Sequence, residues 1–160
     1  MVEGEQKVLK FLQSNVIATG SRYWASVAPD LIKIENYSDY DFVVSLHNNV
    51  VSTAVELALT HGCPVKKYLK YDLDPSTWGV FCFGESTQLI IKYDDWYKAY
   101  LKVQSLCTPE YYYNFLWKRN GNSVEVIRDR LIVLMNFFMD DLQPRHDLKP
   151  LHIVVGEMPF

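Results

Sequence analysis

The deciding stretch runs Gly20-Ser21-Arg22-Tyr23-Trp24-Ala25 and then, after a spacer, Ser38-Asp39-Tyr40-Asp41-Phe42. Before it, Val16-Ile17-Ala18 is a short run that stops at Thr19-Gly20-Ser21 and reads as a strand ending in a tight turn. Tyr40 to His47 is rich in Val and Phe and reads as a second strand. In a strand, residues i and i+2 face the same way, about 7 Å apart along the backbone. Asp39 and Asp41 therefore share one face, and Tyr40, Phe42 and Val44 pack on the other. Carboxylates paired in this way can hold one or two Mg²⁺ ions between them and a triphosphate. The glycine lets the backbone approach phosphate oxygens, which the Ser21 hydroxyl and helix N–H groups can bind. Arg22 or Lys33 can neutralise further charge. Each half alone is common, as a solvated strand edge or a plain turn. The ordered combination is the specific signal.

Working outward, 160 residues make one ordinary domain, and 49 % hydrophobic content is enough for a sizeable core. A disordered tail and a fibrous repeat are excluded. The formal charge of −3 argues against a protein that binds nucleic acid over its whole surface, but leaves room for a local basic groove. No apolar run approaches the roughly 20 residues of a membrane span. Met1 to Lys10 is acidic and polar, unlike a signal peptide. Cys63, Cys82 and Cys107 are widely spaced and odd in number, so they read as free thiols of a cytoplasmic protein.

The remaining elements follow from periodicity. Gly4 to Ser14 reads as a helix through Val8, Phe11 and Leu12. Arg22 to Ala28 reads as a short helix halted by Pro29-Asp30. Asn48 caps a helix that closes at His61-Gly62. Val65 to Asp72 reads as extended. Gly79–Phe83 and Gln88–Tyr93 form a hairpin around residues 84–87. Asp94-Asp95 opens a helix to Leu106, Thr108-Pro109 opens one to Arg119, and Ser123 caps a last long helix. Leu151 to Val155 reads as an edge strand. The class is α+β, a small mixed sheet with helices packed on it.

The motif resembles that of the nucleotidyltransferase superfamily of the DNA polymerase β type. It is most similar to the small stand-alone members found in phages and bacteria, which read Gly-Ser-Arg, spacer, Ser-Asp-x-Asp. The similarity covers residues 16 to about 46, and the element order extends it to about 106. One departure is that Trp24-Ala25 stand where the family often has a glycine. The resemblance implies a polymerase-β-like core over residues 1–106. Residues 107–160 would be a helical C-terminal extension packed on that core as a single globular unit.

It also implies a Mg²⁺- or Mn²⁺-dependent transfer of a nucleoside monophosphate from an NTP to a hydroxyl. The acceptor would be a nucleic-acid end such as tRNA, a protein or a small molecule. By this resemblance Gly20, Ser21, Arg22 and Ser38 contact the nucleotide, and Asp39 and Asp41 are the catalytic metal ligands. The expected setting is the cytoplasm (the host's, for a phage protein), with no membrane partner.

Family members carry a third carboxylate, which opens a later strand, binds metal and deprotonates the acceptor hydroxyl. Here the matching strand begins with Gln88. Glu85 lies three residues earlier, and Asp72, Asp74 and Asp94 are further candidates. A neutral amide cannot act as a general base and is a poor Mg²⁺ ligand beside a carboxylate. Gln88 in that position points to the alternative, a catalytically impaired binding protein on the same fold. Such a protein would be antitoxin-like or a phage-encoded inhibitor of a host protein. Lys92 shares a face with Gln88 and reads either as solvated or as a charge near phosphate.

Other features are weaker. Lys66, Lys67 and Lys70, interleaved with Tyr68 and Tyr71, read as a sheet edge or a nucleic-acid patch. Trp117-Lys118-Arg119 reads as a helix end with the same two options. His47 and His61 read as structural. Aromatics make up 14 % of the chain, more than one core accommodates. Phe42, Phe81, Phe83 and Phe138 read as core. Tyr23, Trp24, Tyr40 and Tyr111-Tyr112-Tyr113 read as a base-stacking wall or partner surface.

Overall fold

Val8, Leu9 and Leu12 recur at helical spacing, and helix α1 spans Glu3–Asn15 with those residues buried. The computed structural model describes residues 1–69 and 74–142. Strand β1 (Ile17–Thr19) leads into helix α2 (Gly20–Val27), and strand β2 (Tyr40–Ser45) into helix α3 (Val50–Thr60). Strands β3 (Val65–Leu69), β4 (Thr77–Phe83) and β5 (Thr87–Lys92) follow. Helix α4 (Asp94–Leu106), a short α5 (Pro109–Tyr111) and helix α6 (Val124–Leu142) complete the order. The expected strand at residues 151–155 lies outside the described residues.

The five strands form one mixed sheet in the order β1-β2-β5-β4-β3. β2 and β5 are parallel neighbours, and the other pairs are antiparallel. The α+β class therefore holds. One face packs on α1 and α3, where Phe42, Val44, Phe83, Leu89 and Ile91 meet Val8, Leu12, Ala54 and Ala58. The alternation Phe42 and Val44 against Asp41 follows from the period of a strand. Helix α4 lies against β2 and β5 and packs on α6 through Trp96, Ala99 and Val103 against Ile132, Met135 and Met139. Val43 is consequently buried as well, so β2 is covered on both sides.

Three local readings are corrected. The strand expected to reach His47 ends at Ser45, and the Asn48 side chain accepts the Val50 N–H at 2.8 Å. The helix expected from Thr108 to Arg119 is α-helical only to Tyr111 and continues as a π-helical turn over Tyr112–Leu116. Residues five apart on an α-helix diverge by about 140°. The wider turn brings the rings of Tyr112 and Trp117 into a stack at 6.5 Å, with Trp24 of α2 stacked on Tyr112 at 5.2 Å. Finally, the suggested basic patch on β3 is divided: Lys67 lies over the Trp78 and Phe81 rings, and strand parity turns Lys66 to the opposite face. Lys70 and Tyr71 lie outside the described residues.

Glu5 ties the first helix to the sheet. Its carboxylate is buried and accepts the N–H groups of Glu85 (3.1 Å) and Ser86 (3.0 Å) and the Thr87 hydroxyl (2.9 Å). Gly84 has φ +64°, and a Cβ there would run into the Glu5 side chain. Glu5→Gln keeps one acceptor and turns an amide donor toward donors. It is expected to cost about 2–3 kcal/mol, read as a lower urea midpoint. An unchanged midpoint would show that the contact contributes nothing.

Candidate functional site

The turn and the second strand meet because β1 pairs with β2. Thr19 stands opposite Asp41, and Asp41 stands opposite Gln88 on β5. Gln88 in turn faces Cys82, and Cys82 faces Lys66. One row therefore crosses the sheet. Gly20 begins α2 with φ +75°, and a Cβ on it would lie 2.5 Å from Asp41 Oδ2. Only glycine lets the turn come this close to the carboxylate. No side chain caps the first turn of α2, whose N-cap is Thr19.

Thr19 is instead committed backwards. It donates to Gln104 Oε1 at 2.6 Å and lies 2.5 Å from the Tyr100 hydroxyl. Gln104 Nε2 donates to the Ala18 carbonyl at 3.1 Å. Helix α4 thus fixes the end of β1 from behind. Burial pushes the Tyr100 phenol up to about 12, with the Thr19 bond acting against it.

A cavity of about 530 Å³ opens over this row. Gly20, Ser21, Ser38, Asp39, Asp41 and Gln88 line one part. Val103, Tyr112, Leu116, Trp117, Ile127 and Leu131 line an apolar part. The rings expected as a free stacking wall are largely spent on each other. Trp24, Tyr112 and Trp117 are all buried in one cluster.

Asp39 and Asp41 share the cavity, as expected. Burial, then repulsion from Asp39, raises the Asp41 carboxyl to about 7. The Asp39 carboxyl is also raised by partial burial, while Arg22 acts against this and Glu5 with it. A dication between two such carboxylates would relieve both penalties. Mg²⁺ commonly uses one or two carboxylates and leaves its other positions to water and phosphate oxygens, and Mn²⁺ accepts the same oxygen donors. The two carboxylates fit one such ion. Among the described residues no group of three or more His, Cys, Asp or Glu side chains forms a metal site.

On β5 the residue beside the carboxylate pair is Gln88. Its Nε2 donates to Asp39 Oδ2 at 3.3 Å. Glu85 is exposed at the turn, outside the cavity lining. Asp94 is held at the far end of β2 by Ser45 and His47, and the Ser45 bond contributes most to holding its carboxyl low. Asp74 accepts from Ser76 and Thr77 in a buried network. Asp72 lies outside the described residues.

Arg22 and Ser38 serve the loop before Asp39. The Arg22 guanidinium donates to the carbonyls of Ser38 (2.9 Å) and Asn36 (2.9 Å) and stacks over Tyr40 at 3.8 Å. Ser38 is buried, accepts the Glu35 N–H at 3.1 Å and accepts from Arg119 at 3.2 Å. Arg119 also pairs with Glu35 at 3.0 Å. The segment after α5 therefore reaches back to the carboxylate loop, a connection that no local pattern announces.

Lys92 is not the solvated strand residue that one reading expected, although it does line the cavity. It is fully buried and donates to the Ser76 and Thr77 hydroxyls at 2.9 Å each. Its ammonium lies 5.1 Å from the Tyr100 ring, and burial lowers its pKa while Asp74 raises it. Glu5 and Tyr100 were not anticipated as site supports. The buried position of Glu5 was nevertheless legible, because it falls on the apolar face of α1 with Val8, Leu9 and Leu12.

The raised Asp41 pKa has a defined sign. The folded chain holds this proton up to about pH 7, and the unfolded chain releases it near 3.8. Asp41 therefore costs the metal-free fold stability progressively across that window, with the full cost above pH 7. Asp41→Asn is expected to raise the metal-free melting temperature at pH 8, with the gain shrinking toward pH 5. Mg²⁺ at pH 8 is expected to raise the melting temperature of wild type and not of the variant. Differential scanning fluorimetry across pH measures both effects.

No known protein family, no curated protein and no solved structure matches this chain.

Proposed function

We propose that the chain is a Mg²⁺–nucleoside-triphosphate-binding protein on a polymerase-β-like nucleotidyltransferase scaffold, with its transfer activity impaired. The observation that carries this reading is Gln88, which stands in register beside Asp41 with its amide directed at Asp39. Asp39 and Asp41 would hold the cation, which neutralises phosphate charge when bound. Gly20, Ser21 and the uncapped first turn of α2 would take phosphate oxygens. Gln88 cannot remove a proton from an acceptor hydroxyl. Such a protein would act by binding, as an antitoxin-like factor or a phage-encoded inhibitor does.

A second reading is a nucleotidyltransferase proper, acting on a hydroxyl of nucleic acid, protein or small molecule. The carboxylate pair beside the Gly20 turn favours it, because positioning and charge neutralisation dominate such transfers.

Calorimetry with each NTP and Mg²⁺ is expected to show binding that Asp39→Asn weakens at least tenfold. With α-labelled NTP and cell extract, wild type is expected to transfer no label. Gln88→Asp is expected to tighten Mg²⁺ binding and to switch on transfer. Transfer by wild type would favour the second reading, and absence of NTP binding would overturn both.

A further inference from the structure

Helix α6 buries a charge that the carboxylate row does not use. The Arg128 side chain is fully buried. One oxygen of Asp129 lies along one edge of it, accepting from Nε at 3.0 Å. The same oxygen is 2.9 Å from Nη2, an ion pair without hydrogen-bond geometry. Neither Nη1 nor Nη2 has a hydrogen-bond partner among the described residues. A guanidinium stays charged wherever a fold places it. Donors left without acceptors in a dry interior are unfavourable, and a hydrophobic side chain of similar size would avoid that penalty. The orphaned fork marks a missing acceptor.

Its place on the helix points to the ligand that would supply one. At about 100° per residue, Arg128 lies about 40° from Val124 and about 60° from Leu131 around α6. Val124 and Leu131 line the cavity, as does Ile127. On its other side lies Ile132, which packs on α4. Arg128 therefore stands behind the cavity lining, at the seam where that wall gives way to the core between α4 and α6. Val103 of α4 marks the same seam, because it both lines the cavity and packs in that core. The wall in front of the seam is aliphatic, made by Val103, Leu116, Val124, Ile127 and Leu131. The cavity's volume of about 530 Å³ is within the range of small-molecule sites.

We propose that the apolar lobe binds an aliphatic carboxylate, whose chain lies against Val103, Ile127 and Leu131 and whose head draws the Arg128 fork out of the seam into a two-point bond. Two terminal nitrogens side by side match the two oxygens of a carboxylate. Side chains commonly change rotamer on binding while the backbone stays in place, so the long Arg128 side chain can turn without moving α6. Repulsion from the Asp39 and Asp41 carboxylates sets the orientation, with the head toward Arg128. Gly20, Ser21, Asp39 and Asp41 make no contact with the ligand, and the test needs no nucleotide.

Calorimetry on the full chain with straight-chain acids at pH 7 reads this binding directly. Each methylene added from butanoate to octanoate is expected to tighten it about fourfold. 1-Octanol, which has the tail without the charge, is expected to bind at least tenfold more weakly than octanoate. Arg128→Met keeps an unbranched side chain and removes the fork, and is expected to weaken octanoate binding at least tenfold. Arg128→Lys keeps the charge without the fork and is expected to weaken it about tenfold. Ile127→Trp fills the lobe and is expected to abolish binding with Arg128 intact. Absence of octanoate binding by wild type would overturn the proposal, as would equal affinity for octanoate and 1-octanol. Octanoate binding that survives Arg128→Met or Ile127→Trp unchanged would overturn it too. Should Arg128→Met fail to fold, the chain-length series and the octanol comparison on wild type still decide.

Discussion

The site depends on one close approach: the Asp41 carboxylate sits where a side chain on residue 20 would otherwise begin. That contact requires a glycine at positive φ, which sets the angle at which α2 leaves β1. It also partly buries Asp41 against the turn, and with Asp39 nearby its carboxyl holds a proton far above the ordinary range. Such a carboxylate is unfavourable in its charged form unless a countercharge meets it. Charge is thus concentrated at one point of the sheet, where burial and a neighbouring carboxylate oppose ionisation of Asp41.

Around that point, packing does the positioning. Tyr100 and Gln104 hold Thr19 from behind, so the turn cannot drift from β2. Arg22 and Arg119 hold the loop that delivers Asp39. Glu5 holds the turn that delivers Gln88. The three arms of the site are each fixed by a side chain distant in sequence, which is how a rigid scaffold keeps polar groups at working distance.

Much of the architecture was legible locally. The alternation around Phe42 placed both aspartates on one face, and the apolar spacing of α1, α3 and α6 marked them as helices. The hairpin between β4 and β5 followed from two short apolar runs around a turn. What failed locally failed for tertiary reasons. Lys92 has the composition of a solvated strand residue, yet α4 covers that face and the Ser76 and Thr77 hydroxyls replace its water. The helix after Pro109 loosens into a π turn, where Tyr112 stacks both on Trp117 and on Trp24, a residue of α2.

The sequence by itself determined the class of the fold and the carboxylate pair, because strand parity and turn chemistry are properties of neighbouring residues. It also placed Gln88 at the start of the last strand, which in fact opens one residue earlier at Thr87. Whether Glu85, Asp74 or Asp94 could take that place was decided only by tertiary structure. Register between parallel strands is set by packing across the whole sheet, and it puts an amide beside Asp41 while Glu85 and Asp94 go to opposite ends and Asp74 to a buried network of its own. The same distant packing brought Lys118 and Arg119 to the mouth of the cavity, where no spacing along the chain could have placed them.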